Sequence, residues 1–487
     1  MPETPNKNQP EPDIRVRNFA GSIHCPNPFW LASAPPTNCG EQIMRAFDAG
    51  WGGAVWKTIG APVTNVTSRY SSIDWQGQRM MGFNNIELIS DRPIDVNLRE
   101  LAEVKKRYPA HAVVASLMVE SSREAWHDIV SRSEDAGADG LELNFGCPHG
   151  MSERGMGSAV GQVPEYAEMI TSWVKEKAHT PVLVKLTPNI TDIRTIARAA
   201  KRGGADGLSA INTINSITGI DLDTLIPRPN VDGRSSHGGY CGPAVKPIAL
   251  NMVQQVMADP ESALPLSGIG GIATWADAAE FLLLGCGTVQ VCTAAMHYGY
   301  RIVEDMADGL QNWMRAKGFR TLEDFRGLSL NRVTYWKHLN LNYKIVARID
   351  EQKCIGCDLC HIACWDGAHQ CIHLDRVSGP VDGPADGNAE LHPIPSSHED
   401  SSHARITVSP VTRRERTHDS AAHGPYPTPL SRIPRVDETE CVGCNLCSLV
   451  CPVDQCITMI EVPTGLPPET WDERTRGAAC AAEPQIT

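Results

Sequence analysis

Apolar residues in the first 300 positions gather in short runs, separated by stretches with helical spacing. Eight runs stand out, at 30–34, 53–58, 111–119, 138–146, 181–187, 205–212, 264–269 and 286–292. Runs of this length, bounded by glycine and rich in β-branched residues, predict strands covered on both faces, as in a parallel sheet. Four of the intervening helices end in the same way: D-A-G-W-G-G-A-V (48–55), D-A-G-A-D-G-L-E-L (135–143), R-G-G-A-D-G-L-S-A-I (202–211) and L-L-G-C-G-T-V-Q-V (283–291). A glycine caps the helix in the left-handed conformation and an apolar run then enters the sheet. Eight such units predict an α/β fold, a (β/α)8 TIM barrel over 18–320. An open doubly wound sheet is the alternative, and the even spacing favours closure.

Polar residues inside this scaffold fall where strands end. Lys57 and Thr58 close the second run, Asn144 to Cys147 the fourth, Lys185 the fifth, Asn212 and Thr213 the sixth, Gly270 and Gly271 the seventh, and Cys292 and Thr293 the eighth. In a barrel these positions share the C-terminal face, where side chains from different strands converge. Each alone reads as a capping or solvated residue; together they mark a site. The fourth run delivers Cys147 and opens into a loop with Gly150, Gly155, Gly157 and Gly161. That layout suits a catalytic residue under a mobile loop, against the plainer reading of a buried structural cysteine.

Further on, Ile302, Met306, Leu310 and Trp313 recur at helical spacing and predict a packing helix, for the core or a subunit interface. A connecting helical segment follows over 321–349. Then D-E-Q-K-C-I-G-C-D-L-C-H-I-A-C (350–364) recurs as D-E-T-E-C-V-G-C-N-L-C-S-L-V-C-P (437–452). Both have the C-x2-C-x2-C-x3-C spacing of a two-cluster ferredoxin, in which the fourth cysteine of each run serves the other cluster. One 4Fe-4S cluster is therefore assigned Cys354, Cys357, Cys360 and Cys451, and the second Cys441, Cys444, Cys447 and Cys364. Zinc is the competing reading; Cys371 and Cys456 read as packing cysteines. The ferredoxin-like C-terminal domain spans 350–375 and 436–465. Between its halves, 376–435 is dominated by Pro, Gly, Ser, His and charge, and reads as a surface loop or disordered insertion. Polar tails are expected at 1–17 and 466–487.

The formal charge of -13 argues against nucleic-acid or anionic-membrane surfaces. No apolar stretch approaches the roughly 20 residues that span a bilayer, and Met1 to Arg17 do not read as a secretory signal. An odd count of 17 cysteines, eight of them in cluster motifs, points to a reducing, cytoplasmic setting. No G-x-G-x-x-G follows a strand to open a helix, so no dinucleotide fold is expected. The turn S-G-I-G-G-I (267–272), with Cys292 and Thr293, suits a phosphate instead. A mononucleotide that exchanges electrons with iron-sulfur clusters is met by FMN, with Lys57 and Lys185 as cations near its ring; the plainer reading of either lysine is a salt bridge under the barrel rim.

L-A-S-A-P-P (31–36), W-K-T-I-G (56–60), N-I-E-L-I-S (85–90), N-F-G-C-P-H-G-M-S-E-R-G-M-G (144–157), K-L-T-P-N (185–189), I-N-T (211–213) and Q-V-C-T-A (290–294), followed by the cluster motifs, closely resemble the dihydropyrimidine dehydrogenase family. The resemblance covers about 15–375 and 435–460. It implies reduction of uracil and thymine to their 5,6-dihydro forms, with Cys147 protonating carbon 5 while FMN delivers hydride to carbon 6. It implies substrate contacts at Asn85, Glu87, Asn144, Asn212 and Thr213. For the flavin it implies Ser33, Lys57, Thr58, Lys185, Gly242, Gly270, Gly271, Ile272, Cys292 and Thr293. It also implies a partner subunit that carries FAD and oxidises NADH, in a heterotetramer.

A thiol with a reference pKa of about 8.5 is mostly protonated at neutral pH, as a proton donor must be; His149 beside it could instead make a nucleophile. Two features depart from the family: Gly146 stands where serine is common, and the insertion has no counterpart. The rival readings are a dihydroorotate dehydrogenase, whose substrate carboxylate would want a cation where this chain offers Glu87, and an electron-carrier subunit with no substrate of its own.

Overall fold

The computed structural model describes residues 11–148, 150–376 and 432–481, which divide into two units between Val333 and Thr334. In the first unit the eight apolar runs become β1 Phe29–Leu31, β2 Gly53–Val55, β3 Ala112–Leu117, β4 Gly140–Asn144, β5 Val182–Lys185, β6 Gly207–Ala210, β7 Leu266–Ile269 and β8 Thr288–Val291. All pair in parallel, and β8 returns to β1 through Val289↔Phe29 and Gln290↔Trp30, closing the barrel. Helices such as Gly40–Asp48, Ile94–Arg107, Arg123–Asp135 and Ile193–Arg202 bury Ile43, Leu101, Val130 and Ile196 against the sheet. With both faces covered, every residue of β3 is buried, which is why the run reads as unbroken apolar sequence. The four capping glycines, Gly50, Gly137, Gly204 and Gly285, have φ of +109°, +89°, +91° and +102°.

A hairpin of Val16–Phe19 and Ile23–Cys25 closes the N-terminal end of the barrel. A Cβ on Gly140 would fall 2.9 Å from Ile23 Cδ1, and one on Gly287 would fall 2.8 Å from Phe19 Cδ2, so the strand starts are bare where the hairpin packs. The polar N-terminal tail therefore gives way to structure before residue 17: Ile14 and Val16 are buried, and Asp13 forms a bridge with Thr321. The connecting segment 321–349 also differs from expectation. It is a series of single-turn 3-10 helices, Leu322–Asp324, Leu330–Arg332 and Trp336–His338, followed by the strand Ile345–Ile349. Gly327, at φ +79°, breaks the helical path, and the β-branched residues beyond it pair with Ile457–Glu461.

The second unit is a duplicated half. Ile345–Ile349 pairs with Ile457–Glu461, and Ile372–Arg376 with Arg432–Val436. Positive φ recurs in both halves, at Gly356 and Gly443, Asp358 and Asn445, and Gln370 and Gln455. Cys456 O accepts from Asp350 N and Cys371 O from Asp437 N, each at 2.8 Å. The expected insertion 376–435 is thus flanked by a strand pair that takes up Arg376 and 432–435, and its remainder lies outside the described residues. The C-terminal tail contains the helix Trp471–Ala481; Trp471 packs on Trp336, with ring centroids 5.9 Å apart.

One further sheet positions the site. Tyr70–Trp75, Gln78–Asn85, Gly238–Cys241 and Ile214–Ser216 form an antiparallel layer from the segments that follow β2 and β6.

Candidate active site

The C-terminal ends of the strands and this small sheet enclose one cavity. The barrel supplies Ser33 after β1, Lys57 and Thr58 after β2, Asn144 and Cys147 from β4 and its loop, and Lys185 from β5. Asn212 and Thr213 follow β6, Gly270, Gly271 and Ile272 follow β7, and Cys292 and Thr293 follow β8. The small sheet adds Asn85, Glu87 and Gly242. Every residue expected to contact substrate or flavin thus lines this cavity.

Hydroxyls and amides form a continuous chain on its floor. Asn212 Nδ2 donates to Asn144 Oδ1 (3.0 Å) and Asn144 Nδ2 to Thr58 Oγ1 (2.9 Å), which lies 3.1 Å from Ser33 Oγ and 3.0 Å from Ser116 Oγ. Such a chain fixes amide orientation, leaving defined donors and acceptors for a planar ligand. Lys57, almost fully buried, makes an ion pair with Glu87, which also accepts from Tyr70 Oη; Arg69 Nη1 lies 3.3 Å from the same carboxylate. Lys185 Nζ faces Glu142 Oε1 at 3.6 Å. Both lysines are therefore salt-bridged under the rim and also line the cavity, so the two readings of them coexist.

Cys147 is partly buried beside Val63, Ile89, Met118 and Met151. The loop folds back over it: Ser158 N donates to Cys147 O at 3.0 Å. Gly157, at φ +59°, is required there, since a Cβ would fall 2.8 Å from that carbonyl oxygen. His149 lies outside the described residues.

At the other end, Gly270 and Gly271 have φ of +131° and +74°. A Cβ on Gly270 would fall 2.6 Å from Ala249 Cβ, and one on Gly271 would fall 2.7 Å from Lys246 N, so bare backbone is enforced where the turn lines the cavity. Bare turns of this kind can present N-H groups to an anion. Burial pushes the Cys241 thiol up to about 11, against a hydrogen bond from Thr293 Oγ1 (3.3 Å) that lowers it, and pushes Cys292 up as well. Both remain neutral thiols at the cavity wall.

In the second unit the motif cysteines fall into two groups. Cys354, Cys357, Cys360 and Cys451 line one small cavity, and Cys364, Cys441, Cys444 and Cys447 line another. Among the described residues no three His, Cys, Asp or Glu side chains converge on a single-ion site. Soft donors spaced around a void fit a cluster better than one zinc ion. Cys371 and Cys456 join these walls, with Cys371 Sγ 3.6 Å from Cys364 Sγ, so both pack against the cluster sites.

Residues 18–314 match the family model described as dihydroorotate dehydrogenase, and 353–455 match that of a 4Fe-4S dicluster domain. The NAD-dependent dihydropyrimidine dehydrogenase subunit PreA of Escherichia coli strain K12 is 47% identical over 356 residues, 73% of this chain and 86% of that protein. The chain belongs to the dihydropyrimidine dehydrogenase family. Within it, the chloroplastic NADP(+) enzyme of Arabidopsis thaliana is 42% identical over 355 residues, 70% of this chain and 82% of that protein. More distantly, the catalytic subunit of dihydroorotate dehydrogenase B from Pyrococcus abyssi is 34% identical, over 62% of this chain and 95% of that protein. A ligand-free dihydroorotate dehydrogenase from Eimeria tenella shares the fold, with a TM-score of 0.55 at 20% identity over 67% of this chain and 94% of that one. As a dihydropyrimidine dehydrogenase family member the chain is an oxidoreductase, with a flavoprotein barrel and a 4Fe-4S module. No helix among the described residues is long and apolar enough to cross a membrane.

Sequence reasoning missed Tyr70, Ser116, Glu142 and Gln290. Tyr70 was legible in principle: W-Q-G-Q (75–78) places Gln76 and Gly77 at φ +48° and +82°, the two-residue turn of a hairpin. The others sit inside strands whose apolar runs mask them.

Proposed function

We propose that this chain is the pyrimidine-reducing subunit of an NAD-dependent dihydropyrimidine dehydrogenase, acting on a CH-CH bond of uracil and thymine in the cytoplasm. The observation that carries the reading is the single cavity shared by Cys147, the Asn85, Asn144 and Asn212 amides, and the bare Gly270-Gly271 turn. That turn suits the phosphate of FMN, and the buried Gln290 Oε1, which has no hydrogen-bond partner, suits its imide N-H. Bound there, FMN supplies the hydride for carbon 6 of the pyrimidine.

This chain's residues do the rest. The Cys147 S-H protonates carbon 5, in apolar surroundings that keep water from the same position. Asn85, Asn144, Asn212 and Thr213 meet the alternating N-H and C=O edge of the base, with Glu87 accepting from a ring N-H. Lys57 and Lys185 place positive charge at the flavin edge, and Ser33, Thr58, Gly242, Ile272, Cys292 and Thr293 complete its walls. The eight motif cysteines hold two 4Fe-4S clusters, which pass single electrons. Because E. coli PreA is named a subunit, NADH oxidation is assigned to a partner that carries FAD, in a heterotetramer.

The dihydroorotate reading is favoured by the Pyrococcus relative, but Glu87 in the cavity wall opposes the carboxylate of orotate. The deciding experiment is anaerobic: the chain, loaded with FMN and clusters, is reduced chemically and mixed with uracil or orotate. Rapid flavin reoxidation by uracil supports the proposal. Reoxidation by orotate alone transfers the assignment, and no response to either favours an electron carrier.

A further inference from the structure

Below the cavity floor, inside the barrel, lies a polar layer built on a carboxylate to which the proposed reaction gives no role. Leu141 and Leu143 alternate along β4 with Glu142, which is completely buried. A carboxylate enclosed in this way requires strong partners. Glu142 Oε2 accepts from Gln290 Nε2 at 3.1 Å, whereas Oε1 has no hydrogen bond and faces the Lys185 ammonium at 3.6 Å. Gln290 Nε2 also lies within hydrogen-bond distance of Ser209 Oγ (3.3 Å) and Ser267 Oγ (3.2 Å), and Ser267 Oγ accepts from Thr288 Oγ1 (2.8 Å). The layer thus draws on β4, β5, β6, β7 and β8.

Its geometry fixes two groups that also line the cavity. Turning the Gln290 amide over would set its oxygen against the carboxylate, so Glu142 holds the amide with Nε2 committed inward, and Oε1 is left buried without a donor. The same carboxylate draws Lys185 toward β4 and offsets part of its charge.

We infer that Glu142 is a positioning residue for the cofactor: it presents Lys185 and the Gln290 carbonyl to the flavin and, by offsetting the lysine charge, sets how much more tightly the reduced form is held than the oxidised form. The inference rests on the FMN reading and concerns a residue that itself lies beneath the cavity. An anionic reduced flavin gains from every nearby positive charge, and a carboxylate beneath the cation diminishes that gain. Glu142→Gln keeps the shape and removes the charge, so preference for reduced FMN rises. Lys185→Met removes the cation, so the preference falls.

The test uses the full chain, stripped of flavin and reloaded with FMN, with the affinity for oxidised FMN and the flavin midpoint potential measured by spectroelectrochemistry. For E142Q we expect the reduced-to-oxidised affinity ratio to rise about tenfold, which is about 30 mV for a two-electron couple. For K185M it falls, and E142Q/K185M returns toward the parent. Should E142Q fail to accumulate because Lys185 is left buried and unpaired, K185M and the double variant, in which both charges are gone, still carry the comparison. A potential that moves less than threefold in affinity ratio between K185M and the double variant overturns the inference. An unaltered chain that binds no FMN overturns the cofactor reading itself, a distinct result.

Discussion

A Cβ added to Gly146 would lie 2.5 Å from Cβ of Asn212 and 2.7 Å from its Cγ. The space that a side chain before Cys147 would occupy is filled by Asn212, which donates to Asn144 and so belongs to the cavity floor. The departure from the family's usual serine is therefore matched by a neighbour. Gly146→Ser should displace Asn212 and weaken pyrimidine binding by roughly one hydrogen bond, about tenfold in KM, with flavin content unchanged. Steady-state kinetics with uracil measures this. A lower KM would mean that serine restores a missing contact and that Asn212 simply moves aside.

Cys147 packs among apolar side chains beneath a loop held by its own carbonyl. Cys147→Ala should leave flavin and cluster content intact and slow flavin reoxidation by uracil roughly 100- to 10,000-fold. Stopped-flow absorbance of the chemically reduced protein reads that step directly. Unchanged reoxidation would remove the thiol from the mechanism.

The barrel was legible because parallel strands covered on both faces leave unbroken apolar runs, and because Gly50, Gly137, Gly204 and Gly285 mark four of the eight entries to the sheet. The C-terminal face was legible from polar residues that end those runs. What escaped detection had no such signature. Glu142 and Gln290 sit within strands, where one inward polar residue does not interrupt an apolar run. Tyr70 is delivered by a hairpin whose strands, Tyr70–Trp75 and Gln78–Asn85, are largely polar and exposed on their outer half. The strand Arg432–Val436 was hidden by its proline and arginines, since its pairing with Ile372–Arg376 comes from the other side of the insertion.

Alkaline stability should follow the buried thiols. Burial pushes Cys25 up to about 12, against hydrogen bonds involving Trp30 and Asn27, and Cys241 up to about 11; both start from 9.0. Each folded-state pKa lies above its unfolded value, so the folded state holds more protons above pH 9. The contribution is fully present below pH 9 and is lost as pH rises through 11 to 12, at about 1.4 kcal/mol per pH unit for each thiol while only the unfolded form ionises. Thermal unfolding of the barrel, followed by flavin release, should be flat from pH 7 to 8.5 and fall beyond 9. C25A/C241A should make the fall shallower; an identical slope would assign it to other groups.

The two cysteine cavities each draw three motif cysteines from one run and the fourth from the other. Cys364 belongs by sequence with Cys354, Cys357 and Cys360, yet it lines the cavity of Cys441, Cys444 and Cys447. Cys364→Ala should therefore destabilise the second cluster and spare the first, so that C364A and C444A lose the same electron paramagnetic resonance signal and C357A loses the other. Each variant should retain about half the iron of the parent. If each motif instead carried its own cluster, C364A would match C357A, and the crossed arrangement of the two halves would have no bearing on electron transfer.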